Sequence, residues 1–146
     1  RNYAVASYGG NSSTTLCSLC NIFPETCAHL FWECTYTKQI WDFFCAQANV
    51  QVPLFTNLLD LLKNWPSYDG SNSGKAFWKC LPASICWNVW LERNAHCFNS
   101  KKRKVEDVII DAKVSSFHWA SAYGSLRSFY IQDVIVNWKV LLFDPP

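Results

Sequence analysis

The chain has 146 residues, half of them hydrophobic and 16% of them charged, with a formal net charge of +2. This size allows one ordinary domain, or one domain with a small module attached, and this composition excludes an intrinsically disordered chain. The charge, with a pI near 8.2, is too mild to indicate nucleic-acid binding from bulk electrostatics.

Eight cysteines are compatible with a disulfide framework, a metal site or plain buried thiols, and the cellular compartment decides among these. The sequence shows no secretory signal pattern, and no window approaches the roughly 20 apolar residues of a membrane span. We therefore expect an intracellular protein, nuclear or cytoplasmic, with reduced cysteines and no membrane contact. Because the first residue is Arg1, we also expect a processed product or a piece of a longer chain.

The first part of the chain predicts a tail, a small irregular module and a helix. Residues 1–15 end in a polar stretch of Gly, Ser, Thr and Asn, which is typical of a loop. Residues 29–48 carry apolar side chains at spacings of three and four, which predicts one buried helix face.

A second, short helix is predicted between Pro53, which breaks the chain, and Pro66, which ends the helix. We assign residues 16–65 to one unit that contains the module and these helices. Residues 66–74 are dense in Pro, Gly, Ser and Asn and predict a linker. The apolar face of the short helix consists of Phe55, Leu58, Leu59, Leu62 and Trp65.

Residues 75–146 predict a helical region rich in aromatic side chains. A long aromatic segment contains Pro82, so its helix should begin or kink at that proline. Apolar positions from Val105 to Trp119 predict a further helix, and residues 130–143 fit either a terminal strand or a last helix. The expected fold class is mainly α, a helical domain with a small irregular N-terminal zinc-binding module.

Four residues near the N-terminus, Cys17, Cys20, His29 and Cys34, have the spacing C-x2-C-x8-H-x4-C. A C-x2-C turn presents two thiolates to one tetrahedral ion, and a second pair after a short loop closes the shell. The metal would also stabilise residues 12–24, which include too few apolar side chains to fold alone. The pattern therefore predicts a Zn²⁺ site.

Two alternatives to this ligand set remain open. Cys27 lies two residues before His29 and could replace it in a four-cysteine shell. The H-x4-C spacing favours His29, because the imidazole and the thiolate would then lie about one helical turn apart. The other alternative is that these are buried thiols without a metal. The remaining cysteines fall in apolar helical segments, where cysteine usually behaves as a small hydrophobic residue: Cys45, Cys80, Cys86 and Cys97.

The stretch LCSLCNIFPETCAHLFWECTYTKQIWDFF resembles the zinc-binding domain found toward the C-terminus of plant non-LTR (LINE-type) retrotransposon reverse transcriptases. That family has a C-x2-C pair, an acidic residue before the histidine, an H-L-F run, a closing cysteine and a later tryptophan. The matching positions are Cys17, Cys20, Glu25, His29, Leu30, Phe31, Cys34 and Trp41.

Downstream, WNVWLERNAHCF is similar to a segment that often follows this domain in retroelement-derived proteins. The resemblance covers residues 16–45 and, more loosely, 77–120. It implies a zinc-binding accessory module derived from a reverse transcriptase, with nucleic-acid contact inside a larger protein. No polymerase, endonuclease or ribonuclease H carboxylate signature is present, which excludes an intact retroelement enzyme.

Nucleic-acid contact, with RNA or DNA, is the first functional hypothesis. The candidate residues for stacking on unpaired bases are Phe23, Phe31 and Trp32. The local charge argues against nucleic-acid contact, because Glu25 and Glu33 lie beside the candidate zinc ligands and no lysine lies between Arg1 and Lys38. The candidate phosphate contacts are Lys101, Lys102, Arg103 and Lys104.

The second hypothesis is a structural or protein-interaction domain in which zinc only stabilises the fold. Eight tryptophans are more than one small core normally uses, and tryptophan is enriched at interface anchors. A protein partner would then meet an aromatic surface.

We expect no enzymatic activity. A catalytic zinc keeps an open coordination position, whereas four protein ligands close the shell. His96 beside Cys97 does not form a nucleophile and base pair, because adjacent residues on a helix point in different directions. Glu92, Arg93 and Asn94 are expected to form a polar network near a helix end rather than a site.

Overall fold

The computed structural model describes residues 15–122 and 130–143, so that residues 1–14 of the predicted tail lie outside the described part. Within that part every regular element is helical, and the one β-type pairing is an isolated bridge between Leu16 and Pro24. The expected mainly α fold with a small irregular N-terminal module is confirmed. The first element is a π-helical turn (His29–Glu33). Five α-helices follow: α1 (Thr35–Gln47), α2 (Leu58–Lys63), α3 (Asn72–Phe98), α4 (Val105–Ser121) and α5 (Ile131–Phe143).

Helix α3 lies at the centre of the fold and contacts every other helix, with α4 packed along it most extensively. Between these two helices the buried hydroxyl of Ser84 donates a hydrogen bond to the carbonyl of Ala112 over 2.6 Å. The hydroxyl of Ser116 donates to the carbonyl of Phe77 over 2.8 Å. Buried hydroxyls need such partners, and these partners fix the register of α3 against α4. The surrounding core includes Ile40, Phe44, Leu81, Ile85, Val108 and Leu141.

Helix α3 does not begin at Pro82 but at Asn72, inside the predicted linker, and it continues through the proline. Proline has no N–H and therefore leaves the carbonyl four residues earlier without its helical partner. That carbonyl belongs to Trp78, and the indole N–H of Trp65 donates to it over 3.0 Å. The missing backbone bond is replaced by a side chain from outside the helix, which the local sequence pattern does not reveal.

The helix predicted over residues 29–48 is divided at Cys34, whose backbone is extended with φ −61° and ψ 133°. A π-helical turn precedes the break and α1 follows it. The buried face of α1 nevertheless contains predicted apolar residues, among them Ile40 and Phe44.

Two predicted apolar faces differ from the faces that pack on the core. In α2 the buried residue is Leu61, whereas Leu59 and Leu62 are 60% and 51% exposed. In α4 the predicted stripe is buried as far as Ser116, but Trp119 is 38% exposed. A helix as short as α2 has too few residues for periodicity to define its contact face, so tertiary packing decides it.

Residues 130–143 form a helix rather than a strand, with a kink at Asn137. Its C-terminal half packs against the predicted linker, where the buried hydroxyl of Tyr68 donates to the carbonyl of Leu142 over 2.9 Å.

No helix in the described ranges is both long and apolar enough to cross a lipid bilayer.

Candidate metal centre

Cys17, Cys20, His29 and Cys34 lie close enough to bind one metal ion, since their ligand atoms are all within 4.8 Å of one another. The two buried sulfurs, of Cys17 and Cys34, are 3.9 Å apart. Sγ of Cys20 lies 3.3 Å from Nε2 of His29. A tetrahedral ion with Zn–S bonds of about 2.3 Å and a Zn–N bond of about 2.0 Å requires ligand separations of roughly 3.5–3.8 Å. The donor set and its spacing therefore fit such an ion.

The first two ligands are held by a hairpin around residues 17–23. The amide N–H of Asn21 donates to the carbonyl of Cys17 over 2.7 Å, and that of Cys17 donates to the carbonyl of Phe23 over 2.8 Å. Asn21 adopts a left-handed conformation with φ 56°, which asparagine tolerates better than most residues. The resulting tight turn brings the sulfurs of Cys17 and Cys20 to the same side.

The other two ligands are brought together by the π-helical turn. On a regular α-helix, positions five residues apart lie about 140° apart around the axis, which would separate His29 from Cys34. The wider π turn closes instead on a bond from the N–H of Cys34 to the carbonyl of His29, 2.7 Å long. The H-x4-C spacing thus works through π geometry, not through the single α-helical turn expected from the sequence.

Side chains satisfy the groups that the π turn leaves unpaired. The hydroxyl of Thr26 accepts the N–H of His29 over 3.0 Å and so orients the start of the turn. Thr37 donates its hydroxyl to the carbonyl of Leu30 over 2.7 Å. The indole of Trp41 donates to the carbonyl of Phe31, also over 2.7 Å. These bonds give Trp41, part of the resemblance pattern, a direct structural role at the site.

All eight cysteines are free thiols, and Cys27 is exposed and does not belong to the ligand group. Burial raises the pKa of the Cys17 thiol to about 12 and also raises the pKa of Cys34. Burial opposes ionisation of Cys20 too. The backbone N–H groups of Phe23 and Ile22 and the side chain of His29 outweigh it, however, and lower the pKa of Cys20 to about 6.

The cluster is anchored to the far end of α3. The guanidinium of Arg93 pairs with the carboxylate of Glu25 over 2.7 Å, and both side chains are largely buried. One residue from Cys17, the carbonyl of Ser18 faces Nδ1 of His96 at 3.0 Å. The acidic residue of the resemblance pattern is therefore the partner of an arginine in the downstream similar segment, a contact across 68 positions.

The expected polar network near the end of α3 is confirmed. Glu92 is 1% exposed and contacts His96 and Arg103, while Arg93 also donates to the side-chain carbonyl of Asn94. These residues connect α3 with the metal cluster on one side and with the loop before α4 on the other.

The predicted nucleic-acid contacts lie in different places. Phe31 and Trp32 are both half-buried and line two separate depressions. The run from residue 101 to 104 is the exposed loop before α4. Within it Arg103 already holds two carboxylates, those of Glu92 and Asp111. Three of the four basic side chains in the run, Lys101, Lys102 and Lys104, remain for other contacts.

An apolar groove of about 600 Å³ borders the metal module. We call it the tryptophan groove. A sequence signal for it exists, because Trp87 lies about 160° around α3 from the buried Ile85 and Val89. Trp90, three residues later, borders the same face as Trp87. Its lining includes Phe31, Leu58, Leu62, Trp87, Trp90 and Trp119.

Comparisons of the chain with protein-family models, with curated proteins and with solved structures find no match. The resemblance to the reverse-transcriptase zinc-binding domain therefore stays a prediction.

Proposed function

We propose that the chain is a non-catalytic zinc-binding domain of the retroelement reverse-transcriptase type, which contacts nucleic acid within a larger protein. The observation that carries the zinc assignment is the convergence of three sulfurs and one imidazole nitrogen within 4.8 Å. Three thiolates with one histidine are a common structural zinc shell, and soft sulfur ligands disfavour Mg²⁺ and Ca²⁺. Four protein ligands complete a tetrahedral shell, so the proposed role of the ion is structural.

Metal content tests this assignment. Protein purified under reducing conditions should contain one zinc per chain by mass spectrometry, and chelation should lower its melting temperature. His29→Ala and Cys34→Ser should lose most of the zinc, because three ligands no longer close the shell. Cys27→Ser is the matched control, since this thiol is exposed and lies outside the group. Zinc retained by His29→Ala but lost by Cys27→Ser would contradict the assigned ligand set.

The basic loop before α4 supports the nucleic-acid part of the proposal. Lys101, Lys102 and Lys104 are all exposed there. Of the carboxylates near the cluster, Glu25 is already neutralised by Arg93. Acidic residues also follow in the first turn of α4, so we expect moderate affinity that rises at low salt, as phosphate contacts do.

Binding of a fluorescein-labelled single-stranded RNA tests this contact. The double variant Lys101→Glu/Lys102→Glu should weaken binding about tenfold at low salt, because two phosphate contacts become repulsive. Lys63→Glu/Lys139→Glu makes the same change in net charge at exposed positions elsewhere and should change affinity much less. Equal losses in both double variants would indicate a diffuse charge effect, and unchanged binding in the first would exclude the loop.

Contact with a protein partner is the second candidate function. The tryptophan groove favours it, because Trp87 is 50% exposed and Trp119 is 38% exposed beside other apolar side chains. Contiguous apolar surfaces of this kind mark interaction sites in soluble domains.

A further inference from the structure

The tryptophan groove lies between α2 and the outer face of α3, and Trp119 at the end of α4 also contributes to it. On α3 its lining residues follow helical spacing, with Ala83, Trp87 and Trp90 on one face. These positions span about two helical turns, or roughly 10 Å. A groove of this length and about 600 Å³ matches the apolar stripe of one short amphipathic helix.

The lining is chemically uniform, since every side chain in it is aliphatic, aromatic or a thiol. It contains no carboxamide, hydroxyl or charged side chain that could read the edge of a base. Sequence-tolerant stacking would still need a track of phosphate contacts. Arg93 lies over the ring of Trp90 at 5.3 Å but is already paired with Glu25. Within the described ranges, this leaves Lys79 and Lys75 as the unpaired basic side chains of α3 beside the groove. The lining therefore suits apolar side chains of a protein better than a nucleic-acid strand.

The charges beside the groove are positive. Lys79 lies one helical turn before Ala83 on the same face of α3, and Lys75 lies one turn further; both are exposed. The acidic residue of α3 is Glu92, which is buried within the polar network. The acidic residue of α2 is Asp60, which helical spacing places opposite Leu58 and Leu62. Nearby Glu33 lines the other depression with Trp32.

We propose that the tryptophan groove binds the apolar face of an acidic amphipathic helix from a partner protein, with Lys79 and Lys75 facing its carboxylates. The proposal deepens the second candidate function and rests on it, but it depends neither on the identity of the metal nor on the basic loop. The apolar contacts supply affinity, and the lysines select against basic helices.

A peptide display selection on the zinc-loaded full chain tests the proposal. The library consists of helix-favouring peptides of about 12 residues, or three turns, with varied apolar residues on one face and varied charges elsewhere. We expect enriched peptides to carry apolar residues at helical spacing and an excess of Asp and Glu. Their dissociation constants are then measured by fluorescence anisotropy.

Two groove variants and two matched controls make the measurement specific. Trp87→Ser should weaken binding about tenfold by removing an aromatic anchor, and Lys79→Glu should weaken it about fivefold. Exchanging the acidic residues of the peptide for lysine should restore binding to Lys79→Glu. The controls are Leu54→Ser and Lys139→Glu, exposed apolar and basic positions outside the groove lining, and they should leave binding unchanged.

The proposal is overturned if the enriched peptides show no acidic excess, or if Trp87→Ser and Lys79→Glu bind them as the unmodified chain does. A selection that enriches nothing over the Trp87→Ser chain also overturns it. Competition by an oligo-dT of about 15 nucleotides that Trp87→Ser abolishes would make the groove a stacking site for nucleic acid. Peptides that depend on Trp87 but show no acidic excess would overturn this proposal alone. A selection that enriches no Trp87-dependent peptide would also remove the support for the second candidate function.

Discussion

At the scale of single residues, Glu92 connects three parts of the molecule. Its carboxylate accepts hydrogen bonds from the backbone N–H and from Nε of Arg103, both over 3.0 Å. It also lies 2.7 Å from Nε2 of His96. The other ring nitrogen of His96 faces the carbonyl of Ser18 beside the metal cluster. A buried carboxylate is stable only with such partners, because it has lost its hydration.

Replacing Glu92 with Gln should lower the free energy of unfolding by about 3 kcal/mol. The change removes the buried negative charge that His96 and Arg103 contact. Urea unfolding followed by far-UV circular dichroism measures this. Asp111→Asn is the matched control, since Asp111 provides the other carboxylate that pairs with Arg103. The side chain of Asp111 is 39% exposed. That change should cost less than about 1 kcal/mol. If both variants lost the same free energy of unfolding, burial of Glu92 would not explain its contribution to stability.

At the scale of elements, the approach of α3 to α5 depends on a glycine in the first turn of α3. A Cβ at Gly74 would lie 2.7 Å from both the carbonyl oxygen of Leu141 and Cα of Leu142, and would also overlap the hydroxyl of Tyr68. Two of these neighbours are backbone atoms of α5, which cannot rotate away. Glycine is tolerated here despite its low helix propensity because the two helices need the space.

Gly74→Ala should therefore destabilise the fold by about 2 kcal/mol or more, as overpacking does. Helix propensity alone predicts the opposite sign, a gain of about 1 kcal/mol. Thermal unfolding of the variant decides between the two. Lys75→Ala, at the exposed neighbouring position, should stay within about 0.5 kcal/mol of the parent chain. A stabilised Gly74→Ala would mean that α5 does not pack against α3 as described.

At the scale of the whole molecule, the metal cluster stands at the edge of a helical core that has its own apolar contacts. Two of its ligands, Cys17 and Cys34, are buried in this core together with Leu30. The pair of Glu25 with Arg93 and the carbonyl of Ser18 connect the cluster to α3. The central packing of α3 with α4 and α5 involves none of the four ligands. Loss of the metal should accordingly open the module before it opens the core.

Chelation of the metal should thus raise hydrogen exchange in residues 15–34 and in the last turns of α3, while amides of Phe77–Val89 stay protected. Most of the far-UV helix signal should persist at room temperature, since the core remains packed. Hydrogen–deuterium exchange with mass spectrometry, before and after chelation, measures both regions. Loss of all helix signal on chelation would show that the metal is required for the entire fold.

The sequence by itself determined the elements that depend on local spacing. The metal-ligand pattern around Cys17 and Cys20 is local in the chain, and so is the apolar periodicity of α4 from Val105 to Ser116, which the structure retains. Ligand spacing and helical periodicity need only neighbours within a few residues, so both can be recognised before any long-range contact is known.

Only the tertiary structure decided the features whose partners lie far along the chain. Helix α3 continues through Pro82, and the indole of Trp65 pairs with the carbonyl that the proline leaves free. The pair of Glu25 with Arg93 and the exposure of Trp87 likewise depend on which surfaces meet. A hydrogen-bond or ion-pair partner supplied from a distant segment leaves no periodic trace in the sequence, because its position is set by packing of the helices and not by their own residues.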